Sequence, residues 1–403
     1  MNVLFLSLGE FNDFSAGSVH IDLMKEFSKH NNVYLLCKTE KRSGQETHLT
    51  KELEINVLRV KTGNIKNTNL IEKGISTILV EPQFKAACKK YFSDIKFDLI
   101  LYTTPPITFA KVVKYIKKRD HAKTYLLLKD IFPQNAVDLG MMTTTGLKGI
   151  VYKYFRRKEK LLYSISDKIG CMSPANVKYI LDHNPEINPE KVEICPNAIE
   201  IIDKSVDDNT CTAIRDKYGI PLDKYVFIYG GNLGKPQGIP YLIECLKTQH
   251  IEQAYFLIVG DGTEYYKLEA FINESKPVNV KLMKKLPKED YDTVVAACDV
   301  GMIFLDHRFT IPNFPSRLLS YMQAHLPVLA CTDPNTDLGQ VIQKGEFGWW
   351  CESNDVNTFL SIVREIIKDK NSLKEFKCNS FDMLKHNYSV DQAYKTIIDF
   401  WGN

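Results

Sequence analysis

The chain has 403 residues, 44% of them hydrophobic and 25% charged, enough to bury two cores of roughly 200 residues each. Its net charge is only +3, and its ten cysteines are scattered with no C-x-x-C pair and no Cys/His zinc spacing. This pattern excludes a disulfide scaffold and a structural zinc site, and reads as apolar cysteines of a reducing, cytoplasmic compartment. The N-terminus MNVLFLSLGEF lacks a basic n-region and a small-residue cleavage site, and no segment approaches ~20 uninterrupted apolar residues. The expectation is a protein neither secreted nor membrane-spanning.

In chain order, NVLFLS, the helical pattern SVHIDLMKEFSKH, NVYLLC, FDLILYT, TYLLLKD and DKIGCMS follow one another through the first half. The strands among them are continuous apolar runs, which predicts a parallel sheet covered by helices on both faces. Residues 201–223, IIDKSVDDNTCTAIRDKYGIPLD, read as a polar connection ending in a Gly/Pro turn. The second half repeats the habit with YVFIYG, AYFLIVG, NVKLMK, DVGMIFL and PVLAC, separated by helical stretches such as YDTVVAAC and FPSRLLSYMQA. The fold class expected is α/β, with two doubly wound Rossmann-like domains. No fixed-period repeat is present.

Open parallel sheets bind ligands outside the carboxyl ends of their strands. The loops that matter are therefore 9–17, 103–106, 129–133, 230–238, 260–262 and 306–317, and two facing sheets would set all six around one cleft. GGNLGKPQG at 230–238 is not a Walker A loop, because Pro236 stands where Ser or Thr is needed, and G-x-G-x-x-G fails at Asn232. What remains is a strand emptying into bare backbone, with Pro240 in the first turn of a following helix, an arrangement whose N–H groups favour an anion. Arg317, after Pro315 and Ser316 at the start of a helix, reads as a phosphate ligand or as a surface arginine paired with an acid. Lys235 has the same two readings. Asp130, directly after TYLLLK, is an acceptor for a substrate hydroxyl or a turn cap.

Charge is unevenly spread. Residues 1–200 hold 30 Lys+Arg against 22 Asp+Glu, and residues 111–160 alone hold 13 against 4. Within that segment LKGIVYKYFRRKEKLLY, 147–163, places Leu147, Ile150, Val151, Tyr154, Phe155, Leu161 and Leu162 on one helical face and Lys148, Lys153, Arg156, Arg157 and Lys160 on the other. The preferred reading is a core-packed stripe with a solvated basic face. That face and KYIKKRDHAK at 114–123 are also suited to anionic headgroups.

The order of these loops resembles the GT-B glycosyltransferases of family 4, and within it the capsule and O-antigen branch that includes fucosamine-type transferases. TTPP (103–106) resembles its S-P-P turn, KDIFPQNAVDLGM (129–141) its D-x-W-P-E-x-A-x-x-x-G stretch, and CPNAIE (195–200) its P-N-G-x-D hinge. GGNLGKPQG resembles G-N-x-G-x-x-Q-G, VGDG (259–262) the usual strand-end turn, and PSRLLSYMQAHLPVLA P-S-K-x-x-E-Y-M-A-x-G-x-P-V-L-A. The resemblance runs from Met1 to the helix near Trp401.

The resemblance implies an acceptor-side domain at 1–195, a nucleotide-sugar domain at 196–386 and a helix at 387–403 that returns to the first. It implies donor contacts from Gly230, Gly231, Asn232, Gln237, Gly238, Gly260, Asp261, Asn313, Phe314, Ser316 and Ser320. Acceptor contacts would come from Ser15, Gly17, Thr104, Pro105 and Lys129, although capping is the plainer role for Ser15 or Ser18. His20 receives no role. Catalysis is assigned to Asp130, Arg317 and Lys235, with retention of anomeric configuration and with neither metal nor other cofactor. The partners implied are a nucleotide-sugar donor, here UDP-linked, a lipid-pyrophosphate-linked acceptor and an anionic membrane surface on the inner face of the plasma membrane, and no nucleic acid. Two carboxylates of the wider family, the E-x7-E pair, are replaced by Pro312 and Ser320. Those losses keep two other readings open, a UDP-sugar epimerase and a non-catalytic partner that binds a sugar nucleotide.

Overall fold

The computed structural model describes residues 1–65 and 68–402. Two compact units emerge, one formed by residues 1–200 together with the segment from Val390 onward, the other by Ile201–Ser389.

Among the described residues the first unit carries eight strands, β1 (Asn2–Leu6), β2 (Asn32–Glu40), β3 (His48–Glu52), β4 (Ile55–Thr62), β5 (Leu99–Thr104), β6 (Lys123–Leu128), β7 (Lys168–Cys171) and β8 (Val192–Ile194). Its helices are α1 (Val19–Ser28), α2 (Leu70–Tyr91), α3 (Ala110–Asp120), α4 (Gln134–Asp138), α5 (Gly146–Ile165) and α6 (Pro174–His183). The sheet order is β3-β4-β2-β1-β5-β6-β7-β8, so chain direction across the sheet reverses between β1 and β5. Val3, Phe5, Leu35, Leu99, Leu101 and Leu127 are buried in the middle of this sheet, as two-sided coverage demands.

One edge departs from the all-parallel expectation. β3 pairs antiparallel with β4, so a hairpin follows β2 before the chain crosses back. HLTKE alternates partly buried and exposed positions, the habit of a polar edge strand that resists further pairing.

The second unit holds β9 (Tyr225–Asn232), β10 (Ala254–Asp261), β11 (Val280–Lys284), β12 (Val300–Phe304), β13 (Val328–Thr332) and β14 (Gly348–Glu352), all parallel in the order β11-β10-β9-β12-β13-β14. Around them lie α7 (Asp208–Tyr218), α8 (Ile239–Thr248), α9 (Tyr265–Ser275), α10 (Lys288–Ala296), α11 (Arg317–Gln323), α12 (Leu338–Lys344), α13 (Val356–Lys368) and α14 (Lys370–Asn387). Here the reversal falls between β9 and β12. The stretch read as a polar connection contains α7, whose N-terminus is capped by Asp207 accepting from the Thr210 N–H and whose C-terminus closes on left-handed Gly219. Arg215 ties α7 down by donating to the Ala297 carbonyl and pairing with Asp299 at 2.8 Å.

The last helix, α15 (Val390–Gly402), belongs to the first unit, where Val390, Ala393 and Ile397 join the core and Tyr394 meets Phe27 edge-on. The first unit extends to Glu200 rather than ending at 195. Ala198 and Ile199 are buried there, the Glu200 N–H donates to the Asp22 carboxylate, and the Ile199 carbonyl accepts from Val390. The return likewise starts at Val390, since residue 387 still ends α14.

The helix of 147–163 departs from its preferred reading. Leu162 is buried, and Phe155 and Leu161 partly so, but Ile150, Val151 and Tyr154 are exposed. Among the described side chains the stripe finds a core only over its C-terminal half, and Leu147 and Lys148 lie outside them.

Candidate functional site

Open parallel sheets form their ligand crevice where strand order reverses. In the second unit that point is the end of β9 beside β12, and the glycine-rich turn lies on it. Gly231 takes φ +119°, a region side chains rarely adopt, and a Cβ there would fall 2.5 Å from an Arg317 nitrogen. Gly260 ends β10 so close that a Cβ would lie 2.0 Å from the Gly231 carbonyl. These glycines let two strand ends and a guanidinium approach one another. Beyond them residues 235–237 form a 3-10 turn and Gly238, also left-handed, leads into α8, with Pro240 in its first turn.

Asn232 and Gln237 brace this turn. The Asn232 amide donates to the Gln237 side-chain oxygen at 2.8 Å, which also accepts the Gly234 N–H. The backbone is thereby fixed before any ligand arrives. Lys235 is exposed at its tip.

A cavity of about 730 Å³ opens beside the turn. Its walls include five residues singled out from sequence, Gly231, Asn232, Gly260, Asp261 and Ser320, together with Lys285, Leu286, Lys288, Tyr291 and Asp292 from the β11–α10 region. Those latter residues were missed, because KKLPKED (284–290) reads as a solvated charged turn and Tyr291 and Asp292 as part of an ordinary helix. Lys288 pairs with Asp292 at 2.6 Å, while Lys285 is exposed. The Tyr291 hydroxyl is buried with no hydrogen-bond partner among the described residues, and burial pushes it up to about 12. It occupies the space Gly230 leaves, where a Cβ would lie 2.0 Å from that hydroxyl.

Arg317 begins α11 and stands behind the turn, outside the cavity wall proper. Its guanidinium lies 4.1 Å from the centre of the Tyr229 ring. Tyr321, one turn on, accepts the Gly230 N–H with its hydroxyl at 3.3 Å. α11 has only seven residues, so its macrodipole adds little to the charge of Arg317 itself. Of the other expected donor contacts, Ser316 is exposed, Phe314 is buried against Tyr388, and the Asn313 carbonyl accepts from Thr336. Asp306, at the end of β12, is held by Arg308 through two bonds of 2.8 and 2.7 Å. Burial raises its carboxyl, but the guanidinium and N–H of Arg308 overcome this and keep it below the ordinary value.

In the first unit the reversal lies between β1 and β5. Ser18, not Ser15, caps α1 by accepting the Ile21 N–H, while Ser15 donates to Asp13 and is exposed. Gly17 is left-handed at φ +61° and leaves room for the Asp22 carboxylate. The Thr104 hydroxyl accepts the N–H groups of Lys129 and Asp130, tying the ends of β5 and β6 together, and Pro105 beyond it is exposed.

Burial lowers the Lys129 amine to about 7 and raises the Asp130 carboxyl to about 6, although Asn135 donates to both of its oxygens at 2.9 Å. His20 was given no role, yet it lies in the first turn of α1 against the rings of Phe5 and Phe11. Its Nε2 is buried without a partner among the described residues, and burial, then the charge of Lys129, holds it well below its ordinary value. Among the described residues no three His, Cys, Asp or Glu side chains gather as a metal site.

Residues 211–383 match the family "Glycosyl transferases group 1". The chain is 25% identical over 299 residues to the probable glycosyltransferase WbjE of Pseudomonas aeruginosa, covering 72% of this chain and 71% of that one. It is 23% identical over 252 residues to WcaI of Escherichia coli, a putative colanic acid biosynthesis glycosyl transferase, covering 62% and 60%. Among solved structures it resembles a sucrose-phosphate synthase from Thermosynechococcus elongatus, with a TM-score of 0.79 and 14% identity over 99% of this chain and 98% of that one. It also resembles Anabaena HepE, solved in complex with UDP and glucose, with a TM-score of 0.73 and 15% identity over 100% and 99% of the two chains. These likenesses carry the fold, two Rossmann-like α/β domains of the GT-B kind.

Proposed function

Because the chain is a glycosyltransferase with a group 1 domain at residues 211–383, we propose that it moves a sugar from a nucleoside diphosphate donor, UDP-linked, to a lipid-pyrophosphate-linked saccharide during polysaccharide assembly. The observation that carries this reading is the cavity at the β9 and β10 strand ends. One wall is bare glycine backbone, another bears Lys285 and Lys288, and Arg317 stands behind the turn. Such a site suits a ligand with a planar body and a doubly charged tail. The HepE complexes with UDP and with UDP-glucose, and the polysaccharide role in the name of WcaI, support donor class and setting.

The chemistry follows from where charge develops. The bond between the sugar's anomeric carbon and the β-phosphate oxygen breaks, and negative charge grows on that oxygen. Arg317 and Lys235 stabilise it, beside a turn that the Asn232–Gln237 brace holds in place. The acceptor hydroxyl forms the new bond on the face the phosphate leaves, so configuration is retained, and its proton passes to the departing phosphate oxygen. Asp130, a carboxylate at neutral pH, orients the acceptor hydroxyl. The basic side chains take the place a divalent ion fills elsewhere. Ser320 lines the cavity as a neutral hydroxyl and offers a ribose one hydrogen bond.

The test is release of UDP from a panel of UDP-sugars, in EDTA, with and without undecaprenyl-diphosphate-linked saccharides, the product identified by mass. UDP release only with acceptor, and a product heavier by one sugar, is the expected result. Interconversion of the UDP-sugar without acceptor would make the chain an epimerase, and UDP binding without turnover would make it a non-catalytic partner. Turnover lost in EDTA and restored by magnesium would remove metal independence alone.

A further inference from the structure

In the first unit, α2, α3 and α5 each cross between parallel strands and pack side by side. They therefore run parallel, with α3 starting level with the middle of α2, where the Lys111 N–H donates to the Glu81 carboxylate. Lys158 of α5 and Glu81 of α2 pair at 2.9 Å and fix the register of the outer two. On the N-terminal side of that pair both helices turn large apolar side chains to solvent. Ile75, Ile78 and Leu79 do so on α2, the first two 55% and 57% exposed. On α5 Ile150, 64% exposed, is joined by Val151 and Tyr154, and Met141, 60% exposed, precedes the helix. Together they expose on the order of 600 Å² of apolar surface, the upper end of what a monomer shows without using it.

The charge around these side chains identifies what covers them. Lys153 and Arg157 are exposed on α5, and Lys111 is exposed at the start of α3. The acids of the three helices are withdrawn: Glu81, Asp120 and Glu159 are buried and paired, and Glu72 is partly buried and bonded to Asn64 and Thr68. The basic run 114–123 contributes less than its sequence promises. Lys117 pairs with Asp167 and Arg119 with Asp120 at the far end of α3, and Lys123, which opens β6, donates to the Trp401 carbonyl. An apolar tip ringed by cations and cleared of exposed acids is the complement of an anionic bilayer surface, whose headgroups take the lysines while the tip enters the acyl boundary.

We propose that the N-terminal halves of α2 and α5 are a membrane seat, with Ile75, Ile78, Leu79, Ile150 and Tyr154 entering an anionic lipid surface. Its purpose rests on the lipid-linked acceptor proposed above, but the seat itself is measured with neither substrate present, so the two readings fail separately.

The experiment is co-sedimentation of the full chain with vesicles of phosphatidylcholine alone and of phosphatidylcholine with phosphatidylglycerol. Wild type should pellet with the anionic vesicles and much less with the neutral ones. Ile78→Ser/Ile150→Ser/Tyr154→Ser should lower the bound fraction at least tenfold while thermal unfolding and UDP binding stay unchanged. Lys153→Gln/Arg157→Gln should leave weaker binding that no longer depends on salt. Leu222→Ser/Val278→Ser, exposed apolar residues of the other unit, should change nothing. If the triple variant misfolds, Tyr154→Trp reads the same contact, its added indole emission shifting to the blue on anionic vesicles. Wild type that stays in the supernatant with both vesicles, a triple variant that binds like wild type, equal loss in the control, or an unshifted emission from the Tyr154→Trp variant each overturns the proposal. A dimer that the triple variant loses, without vesicle binding, would assign the face to a second copy and overturn it too.

Discussion

The Arg317 guanidinium sits 4.1 Å from the centre of the Tyr229 ring, and the same group occupies the space a side chain at Gly231 would fill. The arginine is held from below by an aromatic face and from the side by a residue with no side chain to displace it. A cation stacked in this way keeps its charge and loses little entropy when it acts.

Arg317→Ala is expected to lower kcat on the order of 100-fold while raising the donor KM far less, because charge builds on the β-phosphate only as the glycosidic bond breaks. Arg317→Lys should recover only part, since a point charge cannot both cover the Tyr229 ring and present a planar fork. Steady-state kinetics over donor concentration decides it. An unchanged kcat with weakened UDP binding would make Arg317 a docking contact.

Ser320→Glu should tighten donor binding about tenfold, the effect of about 1.5 kcal/mol from one added charge-assisted hydrogen bond. Residue 320 already faces the cavity, so the longer side chain needs no backbone movement to enter it. The gain should appear equally in substrate and transition state and leave kcat alone. Calorimetric titration with UDP beside turnover measurements would show otherwise if affinity fell or kcat moved.

Gly260→Ala should destabilise the second unit by about 1–3 kcal/mol, as overpacking does. The new methyl would meet the Gly231 carbonyl at 2.0 Å, and neither strand end can retreat without breaking the β9–β10 ladder. Thermal unfolding of the two proteins side by side reads the effect. An unshifted midpoint would mean that the turn yields more freely than its bracing suggests.

Stability should respond to pH through Lys129 and Asp130 in opposite windows. The Asp130 carboxyl is raised from 3.8 to about 6, so its contribution is complete below 3.8 and lost as pH rises through about 6. Asp130→Asn escapes that loss and should gain on wild type across that window, by about 1–2 kcal/mol after allowance for partial exposure. The Lys129 amine is lowered from 10.5 to about 7, so its contribution is present above 10.5 and lost as pH falls through about 7. Lys129→Met should be more stable than wild type below about 7, the gap closing toward alkaline pH. Urea midpoints taken along a pH series check both, and gaps that do not vary with pH would contradict them.

The central strands were legible because burial on two faces leaves no choice but unbroken apolar runs, as in TYLLLK and YVFIYG. The glycine turn and Arg317 were legible by composition and position. β3 was not, since HLTKE at a sheet edge carries the polar alternation of a surface segment, and α7 was hidden by a polar face although Asp207 and Gly219 mark both its ends. In the cavity, Lys285 and Lys288 were missed because a charged turn looks alike whether it faces water or a ligand, and Tyr291 because it opens an ordinary helical pattern. The stripe on α5 shows a different limit: periodicity finds an apolar face but not whether anything packs on it. Ile150 and Leu162 are equally hydrophobic in sequence and opposite in exposure.

The place of α15 has a consequence for how the chain is made. Its residues complete the first unit, filling the core beside Phe27 and Val3, yet they are translated after the whole of the second. On the ribosome the first sheet must wait, one helix short and with an apolar patch over α1 uncovered, while some 190 residues of the second unit emerge and close among themselves. The order of maturation is thus the reverse of the order of synthesis. Any slowing of the second unit's folding extends the time during which the first exposes an unfinished core to chaperones and proteases.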